Sequence, residues 1–282
     1  MRTYSLNDIK GKVCVITGGA GIIGTSLAMG LASAGARIAI VDFNIEKAKE
    51  TAALIKAETG AEVIGVFGNV LEKATLLEAK KSINGTFGKI DVLINGAGGN
   101  APTATTQVEV MSKETLGDLS KGFFGLELEG FRKVFDLNFL GTVLPTMVFA
   151  EDMTEHGGQI INISSMNSFR PLTKIPAYSA AKASINNLTE WLAVHFAQLN
   201  IRVNAIAPGF FLTDQNRFLL TEKDSGALTP RGKKILANTP MGRFGEPEEL
   251  VGTLLFLVSD LSKFITGVVI PVDGGFNVYA GV

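Results

Sequence analysis

Val13-Cys14-Val15-Ile16-Thr17-Gly18-Gly19-Ala20-Gly21-Ile22-Ile23-Gly24 decides the fold. Its first five residues are apolar or β-branched and have strand length, and from Ile22 to about Ala34 the pattern is helical. A strand that turns through glycines straight into a helix opens a β-α-β unit. Outward from it the alternation repeats. Strands are expected at Arg37–Val41, Val63–Phe67, Asp91–Asn95, Gly158–Ser164, Ile201–Ile206 and Val268–Val272. Helices are expected at Ile45–Glu58, Lys73–Asn84, Glu129–Met153, Pro176–Gln198 and Glu248–Ser259. Strand runs with few polar interruptions imply a sheet covered on both faces, and strand–helix alternation implies a parallel one. With no repeat, linker or low-complexity tract, residues 1–282 read as one α/β domain, doubly wound, with helices on both faces of a mainly parallel seven-stranded sheet. Two stretches stand outside the pattern, Asn100–Gly130 and Phe210–Asn238. Long segments of this kind are more often functional than accidental, and ligands in such sheets bind at the carboxyl ends of strands.

Twenty-six basic residues face 27 acidic ones, and no basic stripe suggests nucleic acid or an anionic membrane. The uncharged run Leu137–Ala150 is short and contains Asn138, Gly141 and Pro145, so a membrane span is not expected. The single cysteine, Cys14, excludes an intrachain disulfide, which favours a reducing, cytoplasmic setting. It sits in a strand pattern and reads as a small buried hydrophobe. No cluster of His, Cys and carboxylates has metal-ligand spacing.

Gly19, Gly21 and Gly24 fit G-x-G-x-x-G, a turn whose backbone approaches a pyrophosphate at a helix N-terminus. Asp42 ends the second strand, 18 residues beyond Gly24. A carboxylate there accepts from adenosine ribose hydroxyls and repels a 2′-phosphate, which predicts NAD(H) rather than NADP(H). The competing role, capping the next helix, suits Asn44 at least as well. Asn95-Gly96-Ala97-Gly98 is a second glycine-rich loop after the fourth strand.

Tyr178 and Lys182 are four apart in a helical stretch and share a face. A lysine ammonium and an oxidised nicotinamide would lower the phenol's value towards working pH. Ser165, 13 residues before Tyr178, or its neighbour Ser164 is placed to bond the reacting carbonyl. Asn138 has two readings of equal weight, a holder of water that connects Lys182 to solvent or a helix residue bonded to backbone. His195 and His156 read as helix residues without a catalytic part.

These residues resemble the short-chain dehydrogenase/reductase family, in its shorter single-domain branch, over nearly the whole chain. The resemblance implies a catalytic tetrad of Asn138, Ser165, Tyr178 and Lys182, its spacing selecting Ser165 over Ser164. It implies cofactor contacts from Gly18, Gly19, Gly21, Ile22, Ile23 and Gly24, and from Asp42, Asn69 and Val70. Further contacts are implied from Asn95, Ala97, Gly98, Tyr178 and Lys182, and from Pro208, Gly209, Phe211 and Thr213. It also implies a homotetramer. Three residues depart from the pattern: Ile22 stands where the branch has Gly, Asn69 where an Asp commonly meets adenine, and Gly96 where a second Asn is usual. The glycine loop alone is that of the longer epimerase branch, but the chain length, Ser165 and the Pro271-Val272-Asp273-Gly274-Gly275 tail favour the shorter one.

Ser165–Phe169, Pro171–Pro176, Trp191–Phe196, Gly209–Thr213, Gln215–Arg217 and Pro240–Gly245, with the insertion Asn100–Gly130, look like the branch that interconverts D-fructuronate and D-mannonate with NAD(H). A sugar acid needs a cation for its carboxylate and polar groups for its hydroxyls. Arg170, Lys174 and Arg217 are the candidate cations, and Asn167 and Asn216 the candidate hydroxyl ligands. The alternatives are a gluconate 5-dehydrogenase-like or carrier-bound ketone reductase, and a non-catalytic NAD-binding regulator.

Overall fold

Every residue of Val13–Thr17 (β1) is buried, and its side chains divide between two cores. A computed structural model describes residues 5–212, 220–221 and 226–281. In it Cys14 and Ile16 face one apolar cluster, while Val13 and Val15 face another. This is the period-2 alternation of a strand covered on both sides. Around β1 lie Arg37–Asp42 (β2), Val63–Phe67 (β3), Val92–Asn95 (β4), Gly158–Ile163 (β5), Ile201–Pro208 (β6) and Val269–Val272 (β7). The order is β3-β2-β1-β4-β5-β6-β7, every pair parallel. Burial pushes the Cys14 thiol up to about 12, so it packs as an inert hydrophobe.

The helices are Ile22–Ser33 (α1), Ile45–Thr59 (α2), Lys73–Phe87 (α3), Leu128–Phe135 (α4), Gly141–Phe149 (α5), Pro176–Phe196 (α6), Pro230–Ala237 (α7) and Val251–Val258 (α8). Leu27, Ile55 and Leu254 carry α1, α2 and α8 onto the first core; Leu76, Phe149 and Leu192 carry α3, α5 and α6 onto the second. The chain crosses from β3 at one edge back to β4 beside β1. That reversal opens a crevice at the strands' carboxyl ends.

The helix expected over Glu129–Met153 is not continuous. Asp136–Leu140 forms a π turn between α4 and α5. The cause lies in Asn138, whose Nδ2 donates to the Val134 carbonyl at 2.8 Å and so competes for the acceptor that an α-helix assigns to its own backbone N–H. By length and composition Leu128–Thr154 is apolar enough to cross a membrane, yet half of it is buried within the fold. The two irregular stretches meet above the crevice. In the first, a string of single 3₁₀ turns, Thr106 N donates to Lys174 O at 2.9 Å and Glu109 pairs with Lys234 of α7 in the second.

Candidate active site

Gly18 opens the crevice with a positive φ of 63°, the left-handed region that glycine enters without cost. A Cβ there would lie 2.8 Å from Ala97 Cα, so the two glycine-rich loops touch backbone to backbone. One at Gly24 would lie 2.6 Å from the Gly18 carbonyl, which lets α1 start hard against the turn. Gly19 has a different part. Its Cβ would meet Ile16 O and the Ile40 side chain, so this glycine packs against the sheet and is not in the cleft wall.

The cleft has a volume of about 770 Å³. Gly18, Gly21, Ile22, Ile23 and Gly24 form one wall, Gly21 being the α1 N-cap. The first N–H groups of α1 therefore lack intrahelical acceptors on the side of the cleft, as an anion requires. Asp42, 8% exposed, stands beside them. Its Oδ2 accepts from Ala20 N at 3.3 Å and its Oδ1 from Asn44 N at 3.0 Å, while Asn44 itself caps α2. Capping is thus done by Asn44, and the Asp42 carboxylate retains lone pairs for ribose hydroxyls. Asn69, Val70, Ala97, Gly98, Gly209 and Phe211 complete the part of the wall expected from the sequence. Asn69 donates from Nδ2 to Glu72 at 2.7 Å, a bond an aspartate would turn into carboxylate repulsion. A bare-backbone cradle, a helix N-terminus and a buried carboxylate together fit the two phosphates and adenosine ribose of a dinucleotide.

Two other expected contacts are placed elsewhere. Asn95 faces the core, its Nδ2 donating to Thr146 and Asn162, each at 2.9 Å. Pro208 ends β6, buried and behind the wall. Thr213, Asn216 and Arg217 lie outside the described residues.

Below Gly98 the catalytic candidates converge. A Cβ on Gly98 would come within 2.7 Å of Asn138 Oδ1 and 3.2 Å of Lys182 Nζ. The π turn brings Asn138 here: Nδ2 donates to Gly99 O at 2.7 Å and Oδ1 accepts from Gly99 N at 3.3 Å. Asn138 is therefore bonded to backbone on both sides, across to the β4 loop as well as within its own helix. Lys182, 4% exposed, donates to Ile163 O at 2.8 Å, and its Nζ lies 5.6 Å from the Tyr178 ring centroid. Burial lowers this ammonium to about 8. Ser165 lies near enough to Tyr178 to favour its phenolate, whereas Ser164 bonds Asn186 and is consumed in packing. Of the two serines, Ser165 is the one beside Tyr178.

Tyr178 departs from the sequence expectation in one respect. Burial pushes its phenol above the ordinary value, and the Ser165 hydrogen bond offsets this only in part. In the chain by itself burial outweighs Ser165, and the phenol is held as a proton donor. A positive nicotinamide is then what favours phenolate.

Of the substrate candidates, Asn167 is buried with Oδ1 unpartnered among the described residues. Arg170 is exposed on the surface. Lys174 lines a separate pocket with Arg231 and Lys234 of α7, Glu109 of the insertion, and Phe210. Sequence reasoning missed Glu109, Arg231 and Lys234, which are far apart along the chain. It also missed Phe210, which lines the cleft as well. The one available signal was the density of charge in the Phe210–Asn238 segment.

A dinucleotide cradle joined to a Ser–Tyr–Lys proton-transfer site is the construction of a nicotinamide-type oxidoreductase. Residues 18–277 match a family model described as enoyl-(acyl carrier protein) reductase. An uncharacterized oxidoreductase of Haemophilus influenzae is 50% identical over 100% of this chain and 99% of its own. One of Bacillus subtilis, named UxuB, is 48% identical over 98% of each. The crystal structure of a putative D-mannonate oxidoreductase from Haemophilus influenzae with bound NAD superposes at TM-score 0.92, with 50% identity and 98% of each chain covered. The chain belongs to the short-chain dehydrogenase/reductase family.

Proposed function

We propose that this chain is an NAD(H)-dependent oxidoreductase acting on a sugar acid, with D-fructuronate and D-mannonate as its ketone and alcohol. NADH, when bound, supplies a hydride to the carbonyl carbon. Tyr178 gives the phenolic proton to the carbonyl oxygen as the electron pair of the C=O bond moves onto it, and takes a proton from the alcohol in the reverse direction. Ser165 donates a hydrogen bond to that oxygen. Lys182 holds positive charge beside the phenol and bonds the nicotinamide ribose, with Asn138 fixing the loop above it. Asp42 accepts from the adenosine ribose and repels a 2′-phosphate.

The observation that carries this reading is the close approach of Lys182 and Asn138 to Gly98, a residue of the cofactor-cleft wall. The 50% identity to a putative D-mannonate oxidoreductase supports the substrate. A homotetramer in the cytoplasm completes the proposal; the exposed Met147, Trp191 and Val194 on α5 and α6 suit subunit contacts.

NADH oxidation measured against D-fructuronate, 5-ketogluconate and a β-ketoester tests it. The highest kcat/KM is expected with D-fructuronate, and with NADH above NADPH. Faster β-ketoester reduction, or a preference for NADPH, overturns it.

A further inference from the structure

The pocket between the Pro171–Ile175 loop and α7 has a volume of about 290 Å³ and is separate from the cofactor cleft, although Phe210 lines both. Lys174 on its wall is four residues from Tyr178, at most about 14 Å of chain. The loop that carries Lys174 leads directly into the helix of Tyr178, and Phe210 joins this pocket to the cofactor cleft.

Three cations, Lys174, Arg231 and Lys234, surround this pocket, with Glu109 as the carboxylate among them. Glu109 is engaged by Lys234, and Lys174 and Arg231 also lie within electrostatic reach of it. Neither Lys174 nor Arg231 has an ion-pair partner or a side-chain hydrogen bond of its own among the described residues. Phe210 and Phe276 also line the pocket, edge to face with centroids 5.2 Å apart. Three cations against the one Glu109 carboxylate leave an excess of positive charge among the described residues of this wall, which attracts a substrate carboxylate. Aromatic walls strengthen the attraction by lowering the local dielectric, and a guanidinium receives a carboxylate with two parallel hydrogen bonds. A neutral ketone gains nothing from either cation.

We propose that this pocket holds the substrate's carboxylate, with Arg231 and Lys174 as the specificity-determining pair that selects a sugar acid over its neutral counterpart. The inference rests on the sugar-acid reading and assigns the acid's recognition to α7 and the loop before α6. Glu109 neutralises Lys234 and ties the Asn100–Gly130 insertion over the pocket.

The test compares wild type, Arg231→Gln, Arg231→Lys and Lys174→Gln on D-fructuronate and on D-fructose, which carries a CH₂OH group in place of the carboxylate. Arg231→Gln is expected to lower the ratio of kcat/KM for acid over ketose at least tenfold, through KM for the acid, with KM for NADH unmoved. Arg231→Lys should recover part of the loss. Lys233→Gln, on the same helix but outside the pocket wall, should leave the ratio as it is. An unchanged ratio in Arg231→Gln overturns the proposal. A second arm separates this failure from that of the sugar-acid reading. D-Gluconate, with sorbitol as the neutral control, is tested as an inhibitor of NADH-dependent β-ketoester reduction. Weaker gluconate inhibition in Arg231→Gln supports the pocket even if D-fructuronate is not turned over. Equal inhibition of both forms, or none of the wild type, overturns it.

Discussion

Lys182 carries a consequence beyond catalysis, because a buried ammonium brought down to about 8 makes stability depend on pH. Unfolded, the lysine returns to its ordinary value near 10.5. Below pH 8 both states hold the proton. Between pH 8 and 10 the unfolded chain keeps a proton that the folded chain has released, so stability rises with pH across that window. Tyr178, shifted upward, acts in the opposite sense only above its ordinary range near 10. The urea midpoint should therefore climb from pH 8 to 9.5, and Lys182→Met should flatten the climb; a parallel slope in the variant would remove Lys182 as its cause. At this scale much was readable beforehand. Asp42, Tyr178 and Lys182 each have a residue type and spacing with few other uses in combination. Gly19 and Asn95 were misplaced because spacing records that a glycine or an asparagine is needed, and does not record which way it faces. The direction of the Tyr178 shift depends on burial, which no motif encodes.

Among the elements, the π turn at Asp136–Leu140 decides where Asn138 points. Its carboxamide bridges to Gly99, so a helix and a strand-end loop are joined by one side chain at the point where Lys182 arrives. Gly98→Ala tests that joint. The new methyl group would occupy the space of Asn138 Oδ1 and crowd Lys182 Nζ, and one of them must move. A displacement of about an ångström in a catalytic group costs up to about 10²-fold. We expect kcat to fall tenfold to a hundredfold with the melting temperature lowered by only a few degrees; a full-rate variant would show that the contact has slack. From sequence this helix looked uninterrupted, since its apolar pattern carries on through the bulge. A mid-helix asparagine was the only cue, and it fits a π turn and an ordinary helix equally well. The seven strands were easier to recognise because a doubly covered sheet writes itself as repeated apolar runs.

Over the whole molecule, large apolar side chains remain exposed on α5 and α6, with Val194 80% exposed and Met147 63%. If these faces meet other subunits, Trp191→Glu together with Val194→Glu should yield smaller particles by light scattering while leaving the sheet intact by circular dichroism; an unchanged mass would place the interface elsewhere. The union of the two long loops above the site was not foreseeable. Glu109, Lys174 and Arg231 are 65 and 57 residues apart, and only the folded arrangement gathers their charge. Phe210 has a final consequence at this scale, because its ring belongs to both the cofactor cleft and the basic pocket. The ring already rests edge to face on Phe276, so a ligand that shifts it in one chamber would reshape the wall of the other. If the acid and the nucleotide are coupled in this way, reciprocity requires that each change the other's affinity by the same factor. Through one shared aromatic wall, two separate chambers can then be read by measuring the affinity of either ligand with and without the other.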